Sequence, residues 1–291
     1  MTRTRGNALG LSWILALAAC NAPAPTAGGA SSTATASAAT ASAATAPSGS
    51  ASSGAAPSGA TSAAPKLEPY QGPTGVVHGS IRIKGDPPPE VKHSYPAACA
   101  GDAAAMYGKL FRVGQDRALA DAIVAVTKYQ GFVPPKSPTV PITITRCAFS
   151  TRSIAMTDGQ HLEVKNLDAL TSYLPRLDGA RMPATIVAVP GGDPVKIYSR
   201  GYGRYWLRDD MARTFMVAHV FHFHYGTTSV TGLDGKYRIE GVPTGKAEVS
   251  AMLPSANLLS TSQSFEVKEG ENTLDLELTF DAKKHVPEKL E

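Results

Sequence analysis

Cysteine is scarce in this sequence: there are three, Cys20, Cys99 and Cys147, and none follows Cys147. Helical periodicity is almost as rare. Ala103–Tyr107 reads as one turn and no more, which argues against an all-α or α/β fold. No Gly-x-Ser-x-Gly, no His-Glu-x-x-His and no phosphate loop occurs, so the usual nucleophile, zinc-protease and nucleotide signatures are missing. Asp209 and Asp210 are adjacent carboxylates, but on a strand they diverge and make a poor acid/base dyad. Together these absences predict a chain that is not an enzyme. The net charge of +4 is spread along the chain, with no basic cluster interleaved with aromatics, so nucleic acid is not an expected partner.

What is present begins at the N-terminus. Arg3 and Arg5 precede an apolar run, Leu9–Ala19, which is shorter than the about 20 residues needed to cross a bilayer. Leu17-Ala18-Ala19-Cys20 closes it, the layout of an export signal. Cys20 directly after Leu-Ala-Ala resembles a lipobox, in which the thiol is diacylated and becomes the new N-terminus. An ordinary signal peptide with a chance cysteine is the plainer alternative. Asn21, rather than Asp, favours the outer membrane by analogy with enteric bacteria. Acyl chains contribute about 0.8 kcal/mol per buried methylene, enough for stable anchoring when two or three are attached. Residues 21–65 contain Ala, Ser, Thr, Gly, Pro and one Asn, with no charge. Such a tract has nothing to bury against its chain entropy and is expected to stay disordered, spanning roughly 35–40 Å as a flexible coil. The expectation is therefore a lipid-anchored spacer in the cell envelope, with the membrane as one partner. With Cys20 lipidated, Cys99 and Cys147 are left to pair in an oxidising compartment, or to persist as two buried thiols.

From Lys66 onward period-two patterns dominate. Val76–Ile83, Ala122–Val126, Ile142–Thr145, His161–Lys165, Ala184–Val189, Val195–Ser199, Val217–Tyr225, Lys236–Glu240, Lys246–Met252, Gln263–Lys268 and Asn272–Phe280 read as strands, separated by Gly- and Pro-rich turns. Short strands at that spacing predict an all-β sandwich or barrel. Two places within them carry candidate chemistry. His222 and His224 share one face of a strand and could hold zinc or type 2 copper with a third ligand; otherwise they face solvent, while Phe221, Phe223 and Tyr225, on the face of His219, turn to the core. Tyr202, Arg204, Tyr205 and Trp206 crowd aromatics and arginines into one short segment. They offer a surface for glycan or an envelope protein, or else a packed loop in which Asp209 or Asp210 pairs with Arg204 or Arg208.

Two family resemblances sharpen this. Thr74–Ile81 and the stretch Thr231-Gly232-Leu233-Asp234-Gly235-Lys236-Tyr237-Arg238-Ile239-Glu240-Gly241-Val242-Pro243-Thr244-Gly245 resemble the first strand and the signature hairpin of carboxypeptidase regulatory-like (transthyretin-like) domains, a fold class that includes starch-binding modules. Cys147-Ala148-Phe149 and Gly159-Gln160-His161-Leu162-Glu163-Val164-Lys165-Asn166-Leu167-Asp168 are similar to the cupredoxin-like segment of periplasmic plastocyanin-like, methylamine-utilisation-type proteins. The resemblance places that family's copper-ligand slots at Ser172, Asp210, Arg213 and Met216, and only the methionine matches. Type 1 copper requires two imidazoles and a thiolate, and no cysteine is left for the thiolate slot. The resemblance thus implies a cupredoxin-like fold without type 1 copper and without a cofactor.

The organisation expected is a signal peptide over 1–19, an anchored linker over 20–72, and a transthyretin-like β-sandwich from 73–133 plus 226–281. A cupredoxin-like Greek-key β-sandwich, 134–225, is inserted within it, and 282–291 forms a tail. The expected role is a non-catalytic binding or structural lipoprotein of the envelope. Metal binding or electron transfer through His222 and His224, and carbohydrate binding, are the alternatives.

Overall fold

The alternation of polarity becomes an alternation of burial, and it sorts the strands into four sheets around two cores. The computed structural model describes residues 68–180 and 186–287. The export signal, Cys20 and nearly all of the linker lie outside them, as do 181–185 and 288–291. Strands are numbered along the chain. In the first sheet, β1 (Thr74–Gly85) runs antiparallel to β12 (Lys236–Pro243) and parallel to β15 (Gly270–Thr273) and β16 (Leu276–Phe280). In the second, β11 (Thr228–Val230), β2 (Ile123–Thr127), β13 (Gly245–Leu253) and β14 (Leu259–Val267) are antiparallel throughout. Val77, Ile81, Ile83, Val124, Val126, Val249, Leu253 and Phe280 fill one core with the inward side chains of these two sheets.

The other two sheets come wholly from the middle of the chain. One has the order β4 (Ala148–Phe149), β3 (Thr139–Thr145), β6 (His161–Asn166), β8 (Val195–Ile197). The other has the order β5 (Ser153–Thr157), β10 (Val217–Phe223), β9 (Gly203–Asp209), β7 (Pro175–Asp178). Their inward residues, among them Ile142, Ile144, Leu162, Val164, Leu177, Leu207 and Val220, form the second core. Each such side chain contributes about 1.5–3 kcal/mol by leaving water. The protein is all-β, built from β-sandwiches, as its periodicity predicts.

Several local expectations are revised. The helical stretch is longer than one turn: α1 covers Ala100–Tyr107, preceded by a 3-10 turn at Ala97–Cys99. It amplifies a weak propensity through packing, because Cys99, Ala103 and Tyr107 are buried in the second core, and the Tyr107 hydroxyl accepts from the Phe149 backbone N–H at 3.0 Å. Asn272–Phe280 is two strands, β15 and β16. Ile186–Val189 forms no strand; Ala188 makes an isolated bridge to Tyr173. The Tyr202–Trp206 segment is mostly strand β9, not loop.

The Asp234-Gly235 turn also differs from a hairpin. Its flanking strands go to different sheets, β11 to β2 and β12 to β1, so the turn carries the chain across the core. Gly235 has φ +67° and lies so close to Ile81 that a Cβ would come within 2.6 Å of its carbonyl oxygen. Glycine is needed there for both reasons. The same residue type serves a hairpin or a corner, because φ > 0 alone does not say where the next strand docks.

Cys99 and Cys147 are joined by a disulfide with Cα atoms 5.7 Å apart. It ties the segment before α1 to the turn between β3 and β4, where Arg146 and Cys147 have φ of +48° and +60°. The alternative of two free thiols is thereby removed.

Candidate functional site

The outward face of β9 and β10 is where charge, aromatic surface and a cavity meet. Period-two alternation on β9 sends Tyr205, Leu207 and Asp209 inward and Arg204, Trp206 and Arg208 outward. Across the β9–β10 ladder Arg204 stands opposite Phe221, Trp206 opposite His219 and Arg208 opposite Val217. The end of α1, the β13–β14 turn and Pro287 close over this face and leave a cavity of about 220 Å³. Its lining includes Arg152, Arg204, Arg208, His93 and His219, with Tyr107, Trp206 and Phe215 as aromatic walls; no Asp or Glu lines it.

Arg152 reaches the cavity from the residue before β5. Its guanidinium donates to the carbonyl of Lys109 at 2.8 Å and more weakly to that of Met106 at 3.4 Å, while its Nε is shielded from solvent and has no hydrogen-bond partner among the described residues. The C-terminal carbonyls of a helix are a favourable place for a cation, but they neutralise only part of its charge. Arg204 lies 4.9 Å over the Trp206 ring and donates to His219 Nδ1 at 3.2 Å. Arg208 is different, with an ion pair to Asp178 at 2.9 Å. Among the described residues no carboxylate lies within salt-bridge reach of Arg152 or Arg204, whereas Asp209 pairs with Arg213 and Asp210 with Arg176. The pairing that the sequence suggested for Arg204 is therefore not made.

His219 registers the positive field. Burial first, then Arg204 and Arg152, lower its pKa to about 3, with Arg208 adding to the effect and Asp121 opposing it. It is neutral in the folded state at any ordinary pH, as an acceptor for Arg204 must be. The unfolded chain, with a histidine near 6.5, binds more protons between the two values, so this contribution to stability is complete above about pH 6.5 and is lost as pH falls towards 3. Urea midpoints from pH 7.5 to 4 should fall more steeply for the natural chain than for His219→Gln. Equal slopes would show that His219 does not carry the shift.

The four expected binding residues do not form one surface. Arg204 and Trp206 face the cavity; Tyr205 is buried, with its hydroxyl donating to the Gly201 carbonyl at 2.8 Å; Tyr202 packs at the far end of the strand against His222 and His224. Arg152 and His93 were not singled out from sequence, and Arg208 and His219 were named there only as an ion-pair partner and as a residue on the Phe221 face. Nothing local marks them, because they come from separated segments and converge only in the folded chain.

The histidine strand is also turned over relative to expectation. Ala218, Val220 and His222 face the core, while His219, Phe221 and Phe223 are half-buried on the outer face, with Phe221, Phe223 and Tyr225 stacked along it. His222 is not solvent-facing: Ser199 Oγ lies 2.6 Å from its Nδ1, and Asp158 Oδ1 3.1 Å from its Nε2. His224 is exposed beyond the strand end. With both ring nitrogens of His222 engaged, the pair is not arranged to chelate, and no group of three or more His, Cys, Asp or Glu among the described residues has metal-binding geometry. Ser199, His222 and Asp158 together have the composition of an acyl-transfer triad. Their burial runs the opposite way, since the carboxylate is half exposed and the imidazole is buried. The arrangement instead caps one end of the sandwich, with the Tyr202 hydroxyl also donating to Asp158.

The four slots taken from the copper family fall in two adjoining loops. The loop between β6 and β7 is organised by Asn166, whose Nδ2 donates to the carbonyls of Thr171 and Ala188, and by Asp168, which accepts from the Arg146 backbone N–H at 2.7 Å. The loop between β9 and β10 joins it where Leu174 N–H donates to Asp209 Oδ1 at 2.7 Å and Arg213 stacks 4.6 Å over Tyr173. Ser172 is half-buried, Asp210 is exposed, and Met216 is fully buried in the second core.

No family model and no curated protein matches the chain. Among solved structures it has a likeness to a copper-containing nitrite reductase from Thermus scotoductus SA-01, at 14% identity and a TM-score of 0.25, covering 33% of this chain and 24% of that one. The match spans about a quarter of that enzyme's length, and so loose a superposition carries no argument about this chain.

Proposed function

We propose that this protein is a non-catalytic, lipid-anchored binding module of the bacterial cell envelope, with its ligand site on the outer face of β9 and β10. The observation that carries the binding reading is the cavity of about 220 Å³ that exposes Arg152 and Arg204 without a carboxylate partner. Unpaired, partly desolvated guanidiniums are costly to hold in an apolar wall unless something completes them. The middle sandwich is read as cupredoxin-like without type 1 copper. Supporting this, both remaining thiols are consumed by the disulfide, and Arg213, at one of the expected ligand slots, is ion-paired with Asp209.

The anchor is tested separately from the site. Protein extracted from membranes should give an intact mass that begins at Cys20 and carries acyl chains, and Cys20→Ala should release it from the membrane fraction. A chain cut at another residue, or one carrying no lipid, would defeat the anchor and leave the cavity untouched. For the site, full-length protein should be stabilised in a thermal-shift screen by some small ligand, and that gain should vanish in Trp206→Ala. Ligand-induced stabilisation that survives Trp206→Ala would place binding elsewhere.

A further inference from the structure

We infer that the cavity takes a small organic carboxylate: an oxyanion held between Arg152 and Arg204, carrying an apolar body no larger than a single ring. This rests on the reading that the cavity is the ligand site, and it specifies what enters.

Charge fixes the sign. Three arginines and two histidines line the cavity and no carboxylate does. His219 is held neutral by burial and by the same arginines, so the uncompensated charge resides on the guanidiniums. Arg208 is occupied by Asp178, which leaves Arg152 and Arg204. Guanidinium N–H groups match planar carboxylates in forked geometry. The Nε of Arg152 is buried without an acceptor, as is that of Arg208, but only Arg208 has a carboxylate beside it.

The walls decide between a bare inorganic ion and an organic acid. Val91, Leu110, Phe215 and Val217 offer apolar contact that a hydrated ion cannot use, beside the polar Ser255 and Asn257. The Trp206 ring is already covered by Arg204, a cation–π pair that orients the guanidinium. An anion arriving there meets a donor already held in place, so less freedom is lost on binding. Size sets the upper limit. The volume of about 220 Å³ falls below the roughly 300 Å³ at which pockets for drug-sized ligands begin. That size favours a one-ring acid over a disaccharide or a peptide.

Trp206 gives a direct readout, since the only other tryptophan is Trp13. In full-length protein carrying Trp13→Phe, benzoate and cyclohexanecarboxylate should each change Trp206 fluorescence saturably, while benzamide, a neutral counterpart, and glucose should not. Calorimetry on the natural full-length chain should give the same ranking. Arg204→Gln should weaken the carboxylates about tenfold to a hundredfold, the range for losing one charged hydrogen bond. Arg152→Gln should do the same, but it also removes a contact to the end of α1. Arg204→Gln, whose side chain is exposed at the rim, therefore decides the matter if Arg152→Gln lowers Tm. Affinity should fall with added salt.

Three results would overturn the inference. Inorganic phosphate binding as tightly as the carboxylates would reduce the site to an unspecific anion hole. Equal binding of benzamide or glucose, lost in Trp206→Ala, would keep the cavity as a ligand site but remove the carboxylate. No response to any probe by a folded chain would remove the carboxylate too. If the thermal-shift screen then also found no ligand sensitive to Trp206→Ala, the site itself would fall with it.

Discussion

Replacing Asp121 with alanine is expected to destabilise the folded module by about 3–5 kcal/mol, the usual cost of removing one partner of a buried ion pair. Asp121 is 3% exposed and receives two hydrogen bonds from Arg112, Nε to Oδ2 and Nη2 to Oδ1, each 2.7 Å. It also accepts from the Arg152 backbone N–H at 3.0 Å and from the Thr151 hydroxyl at 3.2 Å. These partners belong to different cores: Arg112 precedes β2 of the first, and Thr151 and Arg152 lead into β5 of the second. One carboxylate therefore holds the two together. Its φ of +61° suits Asp and Asn better than Ala. Asp121→Asn keeps the backbone preference but loses the charge and turns one acceptor oxygen into a donor facing other donors, so it should cost well over 1 kcal/mol though less than alanine. Urea unfolding at neutral pH measures both. A midpoint unchanged in Asp121→Ala would mean that water or another group takes over the Arg112 guanidinium.

The second large effect is expected from the disulfide. Cys99 and Cys147 are 48 residues apart. Closing a loop of that length stabilises the fold by about 4 kcal/mol on the chain-entropy model. The loop leaves the second core at α1, passes through β2 of the first core and returns in β3, so its loss frees more than one element. Cys99→Ala with Cys147→Ala should lower stability by about that amount, and dithiothreitol should do the same to the natural chain while leaving the double variant unaffected. If the reduced natural chain unfolds at the oxidised midpoint, packing of Tyr107 and Phe149 alone holds α1 in place. The crosslink also bears on the site, since α1 carries the Met106 carbonyl that Arg152 uses and Tyr107 lines the cavity.

Much of this molecule could be read in advance. Ile142–Thr145 and His161–Lys165 alternate cleanly, and each is a strand whose apolar side chains are buried, because a pleated backbone sends successive residues to opposite faces. Counting cysteines left Cys99 and Cys147 as a pair, and they are bonded. β5 and β7 were among the strands that escaped notice, with β9 and β11. Ser153–Thr157 is only five residues long, buried at four positions and polar at both ends, and Pro175–Asp178 is four residues long with two charges. Both are strands because neighbours in the sheet supply the hydrogen bonds.

The division between sequence and tertiary structure is clearest on β10. Its period of two separated Ala218, Val220 and His222 from His219, Phe221 and Phe223 without any coordinates. Which set faces the core was a different question, and side-chain volume pointed to the phenylalanines. The fold decided otherwise: Ala218 and Val220 join Leu162 and Val164 in the close-packed second core, and Phe221, Phe223 and Tyr225 stack on the outer face. That inversion put His219 beside Arg204 and Trp206, and it made a cavity wall of a face expected to be core. Periodicity is local and says only that two faces exist. Burial depends on the layer that arrives from elsewhere in the chain, as does the meeting of Arg152 with Arg204, 52 residues further on.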